Sequence, residues 1–379
     1  MPFDFDKPTD RSQTNTEKHN WFKEHNAIPM WVADTEFESP PQIKQALIKR
    51  AEHGIFGYTE ASPKLINAVQ KWLQEQYQWS IEPEWLVWLP GIVPGLNVAV
   101  RAFARNGKVA AQTPNYPPIL TAPELGGAVR SDILSRWDNN RWVLDTDSLI
   151  KAVSEDDCHM LILSNPMNPC GSVMTEAEIK QLIEVCDTHN VLICSDEIHC
   201  DILMDETFRH KPVGKYEPKS ITMMAASKTF NIAGLSCSFA IIPDAGIRKS
   251  FNNARKGIVP VPNLMGYLAT EVAFETGKPW LTEMNRYLRA NRDYAINRIN
   301  QWPGIHCNTP EATFLLWLDC RQTDIADPFG FFLKHGVALS DGKAFGTPGF
   351  VRMNYGCQRS MLVAALDKME QALCSIRKI

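Results

Sequence analysis

The chain has 379 residues, 44% of them hydrophobic and 22% charged, the composition of a soluble globular protein long enough for two or three domains with large cores. Lysine plus arginine number 39 against 43 aspartate plus glutamate, a net charge of −4, and with no basic stripe this argues against nucleic acid or an anionic membrane as partner. The opening "MPFDFDKPTDRSQTNTEKHN" lacks the apolar core of a signal peptide, and the most apolar stretch, "WLVWLPGIVPGLNVAVRAFA", holds two prolines, two glycines and an arginine, so it reads as strand, turn and helix and not as a membrane span.

In chain order, "RSQTNTEKHN" reads as a solvated leader that binds nothing, and Trp31 as a residue at the entrance of a cleft. "SPPQIKQALIKRAEHG" is a predicted helix with Ser39 as N-cap, prolines in the first turn and a stop at Gly54; "SPKLINAVQKWLQEQY" repeats the design from Ser62. "EWLVWLP" is a short buried strand and "GLNVAVRAFAR" the helix after it. "KVAAQTP" and "CHMLILSNP" are two further strands. "TEAEIKQLIEVCDTHN" opens on Thr175 and Glu178, the spacing of a capping box, and leads into the strand "VLICSDEI". "SITMMAAS" and "CSFAIIP" follow as strands. Beyond about residue 275 come a long helix, "PWLTEMNRYLRANRDYAINRINQW", the strand "TFLLWLD", a helix in "DPFGFFLKHG", the strand "FVRMNYG" and a final helix from Ser360.

Continuous apolar strands alternating with helices predict a mostly parallel sheet covered on both faces. The sparser C-terminal elements predict a smaller α+β domain. The expected division is 1–40 as a segment packing on the small domain, 41–280 as the large domain and 281–379 as the small one. The ten cysteines are scattered, mostly in apolar runs, with no C-x-x-C. They read as reduced thiols of a cytoplasmic protein with no metal site.

In sheets of this kind ligands bind beyond the carboxyl ends of the strands, so the residues just after each strand are the candidates. They include Lys228, set between two apolar segments, where an ammonium is paired, neutralised or used covalently. Asp196 stands 32 residues earlier at another strand end, Tyr116 follows a third, and Asn168 lies in "SNPMNPCG". A lysine, an acid and an aromatic at one cleft suit pyridoxal phosphate. That cofactor needs an amine for its imine, an acid at the ring nitrogen, and amides and hydroxyls for its phosphate. "GIVPGLNVAV" offers the helix start and Ser227 and Ser236 the hydroxyls, whereas the absence of G-x-G-x-x-G weakens a dinucleotide reading.

With these pieces in order, and with "PMWVADTEFESPP", "GIFGYTE", "LPGIVPGL", "TPNYPP", "SKTFNIAGL", "GKPWL" and "FVRMNYGC", the sequence resembles the fold-type I pyridoxal-phosphate enzymes of the aminotransferase class I/II superfamily. Within them it is similar to the MalY/PatB-type cystathionine β-lyases, or cysteine-conjugate C–S lyases. The resemblance implies a large, mostly parallel sheet domain of the seven-stranded type, a smaller α+β domain, and a homodimer with shared active sites. It implies that Lys228 carries the cofactor as an imine and later moves protons, that Asp196 pairs with the ring nitrogen, and that Tyr116 stacks on the ring. Asn168 would bind the phenolic oxygen or the substrate carboxylate. The amides of Ile92 and Val93, with Ser227, would hold the phosphate. Tyr58 of the neighbouring subunit would reach that phosphate and share in catalysis and substrate binding. Arg352 would take the substrate α-carboxylate by two prongs. His199 stands where many aminotransferases have tyrosine, which favours the lyase branch and places it among the cofactor's neighbours.

Two departures stand out. Cys170 replaces the usual threonine of the N-P-T-G loop, placing a candidate for oxidation near the site. Ser236 stands where aspartate aminotransferases have an arginine for the phosphate. The expected activity is α,β-elimination of L-cystathionine or related cysteine S-conjugates to a thiol, pyruvate and ammonia. The alternatives are an aminotransferase on the same scaffold and a cofactor-binding regulator.

Overall fold

A computed structural model describes residues 3–11, 13–205 and 208–376. A two-residue strand, β1 (Ile28–Pro29), precedes the eight strands of the large sheet: β2 (Leu86–Leu89), β3 (Lys108–Thr113), β4 (Val129–Asp138), β5 (Arg141–Leu144), β6 (Cys158–Ser164), β7 (Leu192–Asp196), β8 (Ile221–Met224) and β9 (Ser238–Ile241). Their spatial order is β2-β9-β8-β7-β6-β3-β4-β5. The run from β8 to β4 is parallel; β9 is antiparallel to both its neighbours and β5 to β4. The expected α/β architecture is borne out, except that the sheet has eight strands where the resemblance implied seven, because β5 folds back on β4 and adds an edge strand.

Strands in the middle of this sheet are continuously apolar because successive residues feed different cores. Met160 and Ile162 of β6 pack with Leu96, Val100 and Phe251, from helices Ile92–Phe103 and Ala245–Arg255. Leu161 and Leu163 pack on the opposite side with Leu149, Leu182 and Cys186, from helices Thr146–Val153 and Glu176–Thr188. The capping box opening the latter is formed as read, Thr175 against Glu178. Ser62 caps its helix by accepting from the Leu65 N–H, and Gly54 ends the preceding one in the left-handed region. Ser39 does not act as N-cap: Pro40 holds that position, and the Ser39 hydroxyl donates instead to the Asn231 carbonyl at 3.0 Å.

The hairpin of β4 and β5 has no clear apolar alternation in the sequence. β4 is largely exposed, so its apolar content is low, and the turn is made by Asn139 and Asn140, both in the left-handed region that asparagine tolerates. A second, four-stranded antiparallel sheet comprises β10 (His306–Cys307), β11 (Leu315–Asp319), β13 (Ser340–Asp341) and β14 (Phe350–Asn354). Its neighbour β12 (Val337–Ala338) pairs with β1 in parallel register, so the N-terminal segment is stitched to the C-terminal part of the chain. All ten cysteines are free, and nine are buried.

Candidate active site

From β3 the chain crosses to β4, and from β6 to β7 on the other side, so the loops after β3 and β6 part at their shared border. Such a switch point is where open α/β sheets form a ligand crevice. A cavity of ≈ 680 Å³ lies here, and nine of the ten residues to which the resemblance gives a role line it. The exception is Tyr58, which is fully exposed and outside the cavity.

Asp196 ends β7 in register with Ser164 of β6 and Met223 of β8. Its carboxylate accepts from the Ile198 N–H at 3.1 Å. Burial pushes its pKa up to about 7, against the pull of Lys228. A buried acid without a strong cationic partner suits a ligand that brings a positive N–H to it. The sign of the pH effect follows. The folded protein keeps this proton to about pH 7, whereas the unfolded chain releases it near 3.8, so stability falls as pH rises through that window. Asp196→Asn is therefore expected to raise the thermal midpoint of the cofactor-stripped protein at pH 7–8. The gain is on the order of 2–4 kcal/mol and should disappear near pH 4. A midpoint-against-pH series on both proteins checks it; parallel curves would refute it.

Lys228 donates to the Ala33 carbonyl at 2.7 Å. Burial lowers its pKa, aided by the Arg352 cation and opposed by Asp34 and Asp196. Arg352 is buried at 5% exposure. Its guanidinium donates to Asn168 Oδ1 at 3.0 Å, to the Trp31 carbonyl at 2.8 Å and to the Ser340 hydroxyl at 3.2 Å, and it lies 4.7 Å from the Phe345 ring centroid. Its Nε finds no partner, and burial brings its pKa down to about 10. No carboxylate of the described residues pairs with it, which leaves a cation awaiting an anion.

Gly91 precedes helix Ile92–Phe103 and no side chain caps it. With Pro94 lacking an N–H, the amides of Ile92 and Val93 are the donors of that first turn, an electropositive end suited to phosphate. Ser227 and Ser236 line the same region. Tyr116 starts helix Pro117–Gly126; its phenol is raised by burial and by the charge of Asp196, with Glu17 adding to the effect. His199 is buried, its Nδ1 has no partner, and burial together with Lys228 and Arg352 lowers its pKa to about 3, so the ring is neutral. The Cys170 thiol is fully buried and pushed well above its usual pKa, which disfavours the reactive thiolate and corrects the reading of an oxidation-prone position.

Gly171 closes the Asn168 loop with φ +72°, and its carbonyl accepts from the Glu311 and Ala312 amides. An added Cβ would lie 2.3 Å from Pro310 Cβ and 2.6 Å from the Ala312 carbonyl. Gly171→Ala is expected to destabilise by about 2–4 kcal/mol, from left-handed strain plus overpacking, seen as a lower thermal midpoint. A midpoint unchanged from wild type would contradict it.

Other parts of the site were missed. The carbonyls of Trp31 and Ala33 hold Arg352 and Lys228, and main-chain acceptors leave no mark in a sequence. The leader is not free in solvent, as read. Lys18 is buried and pairs with Glu36 at 2.7 Å and Asp34 at 3.1 Å, while Glu17 faces the cavity. Burial alone would raise the Glu36 carboxyl, but His19, Lys18 and Arg11 hold it well below the usual range.

The donor set fits pyridoxal phosphate. It offers an amine with lowered pKa, a buried acid for the ring nitrogen, an uncapped helix start with hydroxyls, and an aromatic ring at the cavity wall. Among the described residues no cluster of His, Cys, Asp or Glu could hold a metal. Fold and site together define an α/β protein with a lysine, an acid and an unpaired guanidinium around one switch-point cavity. The aminotransferase class I and II family matches residues 29–369, and the chain belongs to that family. It is 34% identical to the cystathionine beta-lyase PatB of Bacillus subtilis over 97% of this chain and 99% of the relative. Among solved structures it is similar to OvoB (40% identity, TM-score 0.95, covering 98% of this chain and 99% of that one). It is also similar to a pyridoxal-phosphate-bound C-S lyase of Staphylococcus hominis (31%, TM-score 0.92, 98% of each). The resemblance read from the sequence is borne out.

Proposed function

We propose that the protein is a pyridoxal-phosphate-dependent C–S β-lyase acting on L-cystathionine or related cysteine S-conjugates. The observation that carries this reading is the buried Arg352, unpaired with any carboxylate of the described residues, in one cavity with Lys228 and Asp196. The named lyase relatives support it.

Lys228 would hold the cofactor, with Asp196 at its ring nitrogen and Tyr116 and His199 beside it. The Ile92 and Val93 amides and Ser227 would hold its phosphate. When bound, the cofactor supplies an electron sink that stabilises negative charge at Cα. Arg352 and Asn168 fix the substrate α-carboxylate, which aims the Cα–H bond. Lys228, its pKa lowered, takes that proton as base. The electron pair then forms a Cα–Cβ double bond as the Cβ–S bond breaks, and the sulfur leaves with the pair of the broken bond and is protonated to a thiol. Released aminoacrylate is hydrolysed to pyruvate and ammonia. The competing reading is amino-group transfer, in which Lys228 would return the proton with the Cβ–S bond intact and the substrate would leave as its 2-oxo acid. Incubation with L-cystathionine and 2-oxoglutarate separates the two. The lyase reading expects thiol with little glutamate; glutamate accumulating in step with the spent substrate would overturn it.

The active unit is proposed to be a homodimer, with Tyr58 entering the neighbour's site. Supporting this are the exposed apolar side chains around Tyr58, which include Ile55 and Phe56. Sedimentation should give twice the 42.8 kDa chain mass, and Phe56→Asp should shift it toward monomer. We also propose the division into a large domain, 41–280, and a small one, 281–379, with residues 1–40 packing on the latter; the pairing of β1 with β12 supports it. The free cysteines support a cytoplasmic location, and no described helix is long and apolar enough to cross a membrane.

A further inference from the structure

Once the catalytic groups are assigned, the mouth of the cavity remains. Trp21, Phe22, Trp31 and Phe329 form its aromatic wall, with Glu17 and Asp341 beside them. The Trp31 ring lies 5.0 Å from Trp21 and 5.3 Å from Phe22, and Phe22 lies 5.9 Å from Phe329. Trp31 Nε1 donates to the Lys18 carbonyl at 3.0 Å, which uses the polar edge of the indole and leaves its face as wall. The same bond anchors the turn bearing Glu17, whose next residue, Lys18, is itself buried on Glu36 and Asp34. The Trp31 carbonyl accepts from Arg352, so this wall begins one peptide away from the group that takes the α-carboxylate.

The charges at this end are one-sided. Glu17 is close enough to raise the Tyr116 phenol, together with burial and Asp196. Among the described residues neither Glu17 nor Asp341 pairs with a cation; Asp341 accepts only a backbone amide, that of Lys343, at 3.0 Å. The cations of the cavity, Lys228 and Arg352, are committed to the amino-acid end. A sulfur substituent reaching the mouth therefore meets aromatic faces and two carboxylates. This surface attracts a cation and repels an anion.

Resting on the lyase reading, we propose that the mouth formed by Glu17, Asp341 and the Trp21–Trp31 pair selects cysteine conjugates whose sulfur carries a positively charged group. A conjugate with a distal carboxylate is disfavoured. Cystathionine, which carries both charges at its far end, is then an intermediate case.

The test compares three conjugates of similar length on the holoenzyme: S-(2-aminoethyl)-L-cysteine, S-propyl-L-cysteine and S-(2-carboxyethyl)-L-cysteine. Thiol acidity alone changes leaving-group rates, so the decisive readout is KM and the shift between wild type and Glu17→Gln. Glu17→Gln is expected to raise KM for the aminoethyl conjugate up to about fivefold and to lower it for the carboxyethyl conjugate by a similar factor, with the propyl conjugate moving least. Adding Asp341→Asn should extend both shifts. Equal shifts for all three conjugates, or none, would overturn the proposal. Binding is followed in parallel by tryptophan fluorescence. If no conjugate releases thiol, the lyase reading fails, while the order of binding constants still upholds or overturns the charge selection.

Discussion

Lys228→Ala is expected to abolish thiol release, by at least about 10³-fold, while leaving the fold intact. The loss combines the base at Cα, a role worth about 10²–10⁴ on its own, with the anchoring of the cofactor. The protein should still fold, because Lys228 is a partly buried cation whose burial already lowers its pKa. Removing it relieves that desolvation and leaves the Ala33 carbonyl without one donor, a cost of about 1 kcal/mol. Sites built for chemistry are commonly strained in this way. The thermal midpoint of the cofactor-free variant should therefore match wild type within a few degrees. Added methylamine should return part of the activity by supplying a free amine to the vacated space. Full thiol release in the variant would remove Lys228 from the mechanism.

The second large effect concerns Arg352. In the absence of substrate its fork is shared among Asn168, the Trp31 carbonyl and Ser340, all neutral acceptors. With a pKa near 10 it stays charged at neutral pH, so in the proposed reaction the substrate carboxylate would supply the missing negative charge. Lysine keeps the charge but loses the planar two-pronged geometry. Arg352→Lys is expected to lower kcat/KM about 10- to 100-fold, the worth of one charge-assisted hydrogen bond at 1.5–3 kcal/mol, mainly through KM. The α-carboxamide of the substrate serves as control. It should lose a similar factor on wild type and little more on the variant, because the two changes remove the same interaction. Independent, additive losses would mean that Arg352 contacts something else.

Much of this site can be seen in the sequence because parallel strands buried on both faces are continuously apolar. The polar residues that end them, Asp196, Asn168 and Lys228, then stand out. Arg352 is a different case: within "FVRMNYG" it could equally be an edge-strand surface residue, and only the whole-chain resemblance singles it out. Tyr58 likewise rests on resemblance, since within one chain it touches nothing of the cavity. What the sequence hides is long-range. The carbonyls of Trp31 and Ala33 act through the main chain. Lys18 sits in a polar leader that looks solvated, and is buried only because Glu36 and Asp34 come to it from the segment after β1. The β4–β5 hairpin had a signal in Asn139–Asn140, but exposure of β4 diluted its apolar alternation.

As a lyase, this cavity eliminates a thiol and does not exchange an amino group. The most direct measurement follows pyruvate and thiol together, from the holoenzyme and L-cystathionine with no 2-oxo acid present. Sustained, equimolar release over many turnovers is expected. At most one equivalent of 2-oxo acid per site, with turnover resuming only when an acceptor is added, would contradict it.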